Sequence, residues 1–359
     1  MPYNLKYKYL YFLLPFILVT LFICPTLSES NKINSGRTKS IEVSSPIVPF
    51  SSHGDLWLTT WADDDSVFVS WGDGKGPLYN DKTEFSHHGL AKLNGTFPDV
   101  GVEIVQRFMP LSDDINNSKP TSMLFLDKRL YVAIHSPLLN PVKGFIAYSD
   151  DYGKTFKYDV NTTRNKSNNK NFICIIFINM GRNYELNKDG YVYAFGVEGE
   201  INISGRVYLV RMKKEAILDE SSWMYYSGLD KDKKPEWNSD YKKAKKIPGL
   251  SSKNYSSMFP NLLFAAAYHP GMNRYIAMTA TSVEGQFLES PTPWGPWRFV
   301  DKWFEGEDSE WYASYMPGII TKDMGTDYFY FTAAGRTDFD PQPGDFMYSF
   351  KLGKITMKH

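Results

Sequence analysis

The residues best placed for acid–base chemistry lie in one short stretch. His53-Gly54-Asp55-Leu56-Trp57-Leu58-Thr59-Thr60-Trp61 and Val67-Phe68-Val69-Ser70-Trp71-Gly72-Asp73-Gly74 flank the polar segment Ala62-Asp63-Asp64-Asp65-Ser66. Two β-favouring runs around a polar turn predict a hairpin, with strands over 56–61 and 67–72 and a turn at 62–66. If Trp61 pairs with Val67, Trp57 falls opposite Trp71 and Asp55 opposite Asp73. All four then share one face, because side chains alternate along a strand. Cross-strand neighbours stand about 5 Å apart at Cβ, and a slip of one residue would undo the pairing. Facing carboxylates repel, so one holds its proton to higher pH and the pair offers an acid and a base near neutrality. Glycoside hydrolysis uses such a pair, about 5–5.5 Å apart in retaining enzymes and about 6.5–9.5 Å in inverting ones; the sequence leaves both open. Exposed indole faces stack on sugar rings, so Trp57 and Trp71 are expected to wall the site. His53 is a candidate for a sugar hydroxyl, or equally a cap for the turn. The competing reading is that Gly-Asp and Asp-Gly only end the hairpin, where an Asp side chain bonds nearby amides.

Other acidic and imidazole groups are secondary. Glu198 and Glu200 follow a strand end, and Glu310 stands with Asp308 beside Trp311. Glu198 and Glu310 are carried as substrate-binding candidates against the plainer reading of solvated loop residues. His87-His88 has no third ligand at metal spacing, so no metal site is expected. No phosphate loop, Ser–His–Asp signature or dinucleotide fingerprint appears, and no cofactor is expected.

The positioning elements are predicted to be strands. Phe, Tyr and Trp number 24, 24 and 9, 16% of the chain, and such side chains suit a pleated surface. Short aromatic or β-branched runs separated by turn residues recur from about residue 49 to 353, with no internal boundary. Residues 213–220 are the best helical stretch and allow two turns. The 40 basic and 40 acidic residues cancel, which argues against a nucleic-acid partner. The run Lys242-Lys243-Ala244-Lys245-Lys246 is accordingly read as a solvated face.

Residues 1–28 read as a signal peptide, with Lys6 and Lys8 before an uncharged run from Tyr9 to Cys24 and small residues at Thr26 and Ser28. The alternative is a membrane anchor, although the run is shorter than the roughly 20 residues that span a bilayer comfortably. Secretion is therefore expected, with a flexible lead-in over 29–48, one domain over 49–353 and a tail over 354–359. Asn94, Asn116, Asn161, Asn165, Asn202 and Asn254 head Asn-x-Ser/Thr sequons and are candidate glycosylation sites. Cys174 sits in an apolar run and reads as a buried small hydrophobe. A monomer is expected.

Two turn motifs choose among β architectures. Ser149-Asp150-Asp151-Tyr152-Gly153-Lys154-Thr155-Phe156 resembles the Asp-box of sialidase-like propellers, and Ser290-Pro291-Thr292-Pro293-Trp294-Gly295-Pro296-Trp297 is similar to a turn of furanosidase propellers. A span of about 305 residues at roughly 60 per blade predicts an all-β, five-bladed β-propeller with four-stranded antiparallel blades. Gly54-Asp55-Leu56-Trp57, Thr60-Trp61-Ala62-Asp63-Asp64 and Trp71-Gly72-Asp73-Gly74 resemble a bacterial family first catalogued as a domain of unknown function and later tied to endo-acting D-arabinan hydrolases. The resemblance runs through Asp189-Gly190-Tyr191-Val192-Tyr193, Trp223-Met224-Tyr225-Tyr226-Ser227-Gly228-Leu229 and Pro235-Glu236-Trp237 to Trp297, spanning about 50–300. Where that family has a Trp-rich strand near the C-terminus, this chain has Thr321-Lys322-Asp323-Met324-Gly325-Thr326-Asp327. The resemblance implies a five-bladed propeller with a central sugar pocket, Asp55 and Asp73 as the acidic pair, and a furanose-rich polysaccharide of arabinan type as substrate. The alternative is a carbohydrate-binding propeller without catalysis. A sialidase ranks below both, since it needs an arginine cluster to clamp a carboxylate.

Overall fold

The computed structural model describes residues 36–109, 118–136, 143–158, 162–165, 167–197, 206–250, 264–280, 283–335 and 348–359. Residues 1–28, residues 29–35 of the lead-in, Glu198, and the sequons at Asn116, Asn161, Asn202 and Asn254 lie outside them. Of the two sequons inside, Asn94 is exposed on a hairpin and Asn165 is half-buried in a loop.

The described chain is all-β. After β1 (Ser40–Val43), β2 (Ser52–Asp55) and β3 (Thr59–Trp61) both pair with β4 (Val67–Pro77), which is followed by β5 (Gly89–Thr96) and β6 (Asp99–Gln106). β7 (Lys119–Leu126), β8 (Arg129–Ser136) and β9 (Lys143–Ser149) make a second antiparallel meander. The third is β10 (Cys174–Asn179), β11 (Tyr191–Val197), β12 (Tyr208–Lys213), β13 (Met224–Leu229) and β14 (Pro235–Asn238). The fourth is β15 (Phe264–His269), β16 (Arg274–Ala280), β17 (Glu284–Ser290) and β18 (Arg298–Glu305), joined to the third by a short parallel pairing of β10 with β15. The last is β19 (Ser314–Ile320), β20 (Tyr328–Gly335) and β21 (Phe350–Lys358), and β1 adds to the outer edge of β21. The stretch expected to make two helical turns forms two 3₁₀ turns instead, Lys214–Ala216 and Glu220–Ser222.

The inner strands are apolar on both faces because they are covered on both, whereas the outer strands β1 and β6 alternate exposed and half-buried residues. β4 sends Val67, Val69 and Trp71 into one cluster with Phe350 and Leu352, and Phe68 into another with Phe125, Leu130 and Val132. β8 divides likewise, Leu130 and Val132 to one side and Tyr131 and Ala133 to the other. Phe68 stacks on Phe125 across two sheets, with ring centroids 5.9 Å apart. Continuous apolar runs, rather than strict alternation, follow from this two-sided burial. Cys174 is fully buried among them.

The innermost strands touch in succession: β3 meets β7, β7 meets β10, β10 meets β15, β15 meets β19, and β19 meets β3. Hydroxyl and amide side chains bridge several of these neighbours. Thr59 Oγ1 donates to the Ile319 carbonyl at 2.8 Å, and Thr121 and Ser122 donate to the Ile175 carbonyl at 2.9 and 2.8 Å. Thr60 Oγ1 donates to Asn179 Oδ1 at 2.9 Å, and Asn179 Nδ2 donates to the Met123 carbonyl at 3.1 Å. Buried backbone groups need partners, and where adjacent innermost strands lack a ladder these side chains supply them. Leu58, Thr59, Ser122, Asn179, Ala266 and Gly318, drawn from all five meanders, line one cavity.

The turn at 149–156 is held by its own side chains. Asp151 accepts from Ser149 Oγ at 2.7 Å, from the Thr155 N–H at 2.8 Å and from Thr155 Oγ1 at 2.6 Å. Gly153, at φ 87°, donates its N–H to Ser149 Oγ at 2.8 Å. Against the burial that opposes the charge, these bonds pull the Asp151 carboxyl down to about 2. A carboxyl lowered in this way contributes stability above its unfolded range, near pH 4, and loses it as pH falls through about 2. Asp151→Ala is expected to lower stability by about 1–2 kcal/mol at neutral pH through lost hydrogen bonds. Urea unfolding reads this, and the difference from wild type should shrink toward pH 2.

Candidate active site

The first hairpin keeps its expected register near the turn, with Trp61 opposite Val67 and Thr59 opposite Val69. It departs from that register further along. Leu56 takes φ 58°, the Leu58 N–H donates back to the Leu56 carbonyl at 2.8 Å, and residues 56–58 leave the ladder. β2 then pairs with β4 one residue out of step, so Asp55 stands opposite Gly72 rather than Asp73. This corrects the expected face-to-face pairing. Asp73 itself sits at φ 46°, a left-handed conformation uncommon for a residue with a Cβ.

Glycines permit this geometry. A Cβ on Gly74 would lie 2.2 Å from the His53 carbonyl oxygen and 2.4 Å from Gly54 Cα. Gly54, at φ 134°, would place a Cβ 2.8 Å from the Gly72 carbonyl oxygen. The two backbones therefore touch directly, bringing Asp55 and Asp73 into mutual electrostatic range.

Asp55 is 7% exposed. The Tyr315 hydroxyl, at the start of β19, donates to its Oδ2 at 2.5 Å, and Tyr348 stands beside both groups. Oδ1 is buried with no hydrogen-bond partner among the described residues. Burial first, and the Asp73 charge second, push the Asp55 carboxyl up to about 7 against the opposing pull of Tyr315 and Lys119. It is thus a proton donor that is partly charged at neutral pH.

Asp73 is more open. It is ion-paired with Lys119, at the start of β7, and its Oδ1 lies 2.7 Å from His87 Nδ1. Lys119 Nζ also lies 2.9 Å from His87 Nδ1. Behind them His88 and His135 are buried, and burial lowers both to about 4, so both are neutral imidazoles. Lys119 and Tyr315 lie at the starts of β7 and β19, and Asp55 is the last residue of β2, so the site draws on three different sheets. The arrangement offers a protonated carboxyl and an ion-paired carboxylate side by side, which is an acid–base pair in chemical terms.

The other expected site residues fare differently. Trp57 and Trp71 are 0% exposed and lie in the core with ring centroids 6.4 Å apart, so neither presents a face to a sugar. Trp57 Nε1 donates to the Gly54 carbonyl at 2.9 Å, holding the glycine contact in place. The expectation of a Trp57–Trp71 wall is corrected: two indoles next to a closed backbone contact fill space. His53 is buried and its Nδ1 accepts the Lys75 N–H at 3.2 Å, so it braces the turn. Glu310 is exposed and accepts from Ser45 Oγ at 2.6 Å; no hydrogen bond or ion pair ties it to Asp55 or Asp73. In the segment 321–327, Lys322 donates to Asp65 at 2.8 Å, and Asp323 accepts the Phe97 N–H at 2.9 Å. Both brace the first sheet against the last.

His87, Lys119, Tyr315 and Tyr348 were not legible as site residues. His87 carried a signal in its spacing, 14 residues after Asp73 on the return limb of the same region. Lys119 and Tyr315 reach the site only through the packing of separate sheets.

Residues 104–338 match the family model described as Domain of unknown function (DUF4185), about two thirds of the chain. The chain belongs to this family. The resemblance carried by the motifs is thereby shown. Within this DUF4185 protein the match begins in β6, so Lys119 and Tyr315 fall inside it while Asp55, Asp73 and His87 precede it. No curated protein matches the chain. Among solved structures, an inferred hydrolase from Bacteroides ovatus ATCC 8483 shares 14% identity at a TM-score of 0.55, over 89% of this chain and 92% of that one. At that identity the likeness is one of fold. The catalytic domain of a GH62 α-L-arabinofuranosidase from Coprinopsis cinerea has a TM-score of 0.49 at 10% identity, over 89% and 98% of the two chains. An α-L-arabinanase from Penicillium chrysogenum, solved with arabinobiose, has a TM-score of 0.43 at 10% identity, over 88% and 98%. Among the described residues no helix is long and apolar enough to cross a membrane.

Tyr315→Phe removes the hydroxyl that favours the charged form of Asp55. The Asp55 titration is expected to move upward from about 7. A carboxyl ¹³C NMR titration of wild type and variant measures it, and an unmoved midpoint would contradict the role given to Tyr315.

Proposed function

We propose that this protein is a secreted glycoside hydrolase acting on a furanose-rich polysaccharide of arabinan type, with Asp55 and Asp73 as its acidic pair. The observation that carries the reading is the contrast between the two carboxyls. Asp55 is buried and held up to about 7, while Asp73 is paired with Lys119. In the proposed reaction Asp55 gives its proton to the glycosidic oxygen as the bond to the anomeric carbon breaks. Asp73 acts on that carbon from the other side, directly or by taking a proton from an attacking water. The family resemblance supports the substrate class.

The fold proposed for this function is a five-bladed propeller. The succession of contacts from β3 through β7, β10, β15 and β19 back to β3 supports it, as does the cavity lined from all five meanders. The turn at 149–156 is proposed as an Asp-box with a structural role. Export is proposed to be directed by residues 1–28, and among the described residues the exposed Asn94 is the sequon better placed to carry a glycan.

The test is digestion of arabinans, arabinogalactans and other furanose polymers by the purified protein, reading new reducing ends. Asp55→Asn and Asp73→Asn are each expected to lower kcat by at least about 10²-fold. Wild-type activity should decline as pH rises through about 7, because Asp55 must be protonated. Hydrolysis surviving in both variants would remove the assignment. Retention on the same polymers without hydrolysis would favour a carbohydrate-binding role.

A further inference from the structure

With Trp57 and Trp71 in the core, the carboxyl pair needs another surface to hold a sugar chain, and the segment carrying His87 presents one. Gly74 and Ser86 exchange backbone hydrogen bonds in both directions, at 3.0 and 2.9 Å. In that antiparallel register Asp73 falls opposite His87, and Lys75 falls opposite Phe85. Side chains two residues apart share a face, so His87 and Phe85 stand side by side. The contacts agree: His87 Nδ1 lies 2.7 Å from Asp73 Oδ1, and the Phe85 ring meets the His87 ring edge to face with centroids 5.4 Å apart.

Phe85 is 48% exposed. Leaving a large aromatic ring half in water forfeits much of the stabilisation that its burial would supply. The position therefore contributes little to folding relative to its size. Leu78 and Phe108 are also exposed. Leu78 follows Pro77, and Phe108 lies between Arg107, which donates to the Lys75 carbonyl at 2.9 Å, and Met109, whose N–H donates to the His88 carbonyl at 3.0 Å. Three of the eight exposed large hydrophobic side chains among the described residues thus lie on the segments that carry Asp73 and His87 or on the stretch 107–109 bonded to them.

We propose that Phe85 is the stacking platform for the sugar residue next to the scissile bond, on the side of Asp73. This rests on the hydrolase reading above and adds the residue that would hold the chain. A furanose ring has an apolar C–H face and a polar rim of hydroxyls. The open face of Phe85 matches the first, and His87 and Lys75 flank it with groups able to hydrogen-bond the second. A step of two residues along a strand, about 6.6 Å, sets Phe85 roughly one sugar residue from the His87–Asp73 contact.

The test compares wild type, Phe85→Ala and Phe85→Trp on linear arabinan. Kinetics by reducing ends are paired with retention in native gels cast with the same polymer. Phe85→Ala is expected to raise KM between about three- and tenfold with kcat within about twofold, and to lose retention. Phe85→Trp should restore both. An unchanged KM and retention in Phe85→Ala, or a fall in kcat alone, overturns the platform while leaving the hydrolase reading intact. If wild type is retained but does not cleave, the hydrolase reading fails and the retention of Phe85→Ala alone decides the platform. If wild type is neither retained nor active, both fail.

Discussion

The contact between the Gly54 and Gly74 backbones is the constraint on which the site depends. With no room for a Cβ on Gly74, the strand carrying Asp55 lies directly on the strand carrying Asp73. Trp57 seals that contact from below through its bond to the Gly54 carbonyl. The price is paid in conformation: Leu56 and Asp73 both sit at positive φ, where side-chain-bearing residues are strained. Strain of this kind persists only where surrounding structure over-determines it. Here the determinants are the core indoles below, Tyr315 on one flank and Lys119 on the other.

Those flanking groups explain how two neighbouring carboxyls come to differ. Asp55 is enclosed and receives the Tyr315 hydroxyl, with Tyr348 beside it and Oδ1 without a hydrogen-bond partner among the described residues. Asp73 opens toward solvent and meets an ammonium and an imidazole. Lys119 belongs to the second sheet and Tyr315 to the last. No single sheet contains the site; the first supplies the two acids, and its neighbours supply the difference between them.

Much of the fold was legible because two-sided burial leaves a strong mark. Aromatic and β-branched runs at 67–71, 130–134, 191–195 and 328–332 all proved to be strands. That Asp55 and Asp73 lie close together was legible from their glycines and from the hairpin around them. The exact pairing was not, because the kink at Leu56 depends on a close approach that only assembled structure reveals. The tryptophans misled for a related reason. An indole beside an acidic residue has the same local sequence whether it faces a ligand or the core, and only the covering sheet decides. Phe85 offered no pattern at all, since its place follows from the Gly74–Ser86 bridge, which joins segments without a regular strand between them.

The outer edge of the last sheet is β1, from the beginning of the described chain, laid against β21 at its end. Just before β1, the Thr38 hydroxyl donates to the buried Glu289 of β17 at 2.7 Å, and Glu289 also holds Arg298 of β18, tying the same segment to the neighbouring sheet. A chain made from its N-terminus must keep β1 waiting until β21 has emerged. Pairings over such separations close slowly, so the last sheet, and with it the Tyr315 that tunes Asp55, would be the final part to become native. Until then the protein would carry its two acids without the environment that makes them unlike. On the hydrolase reading, activity would follow only when β1 meets β21.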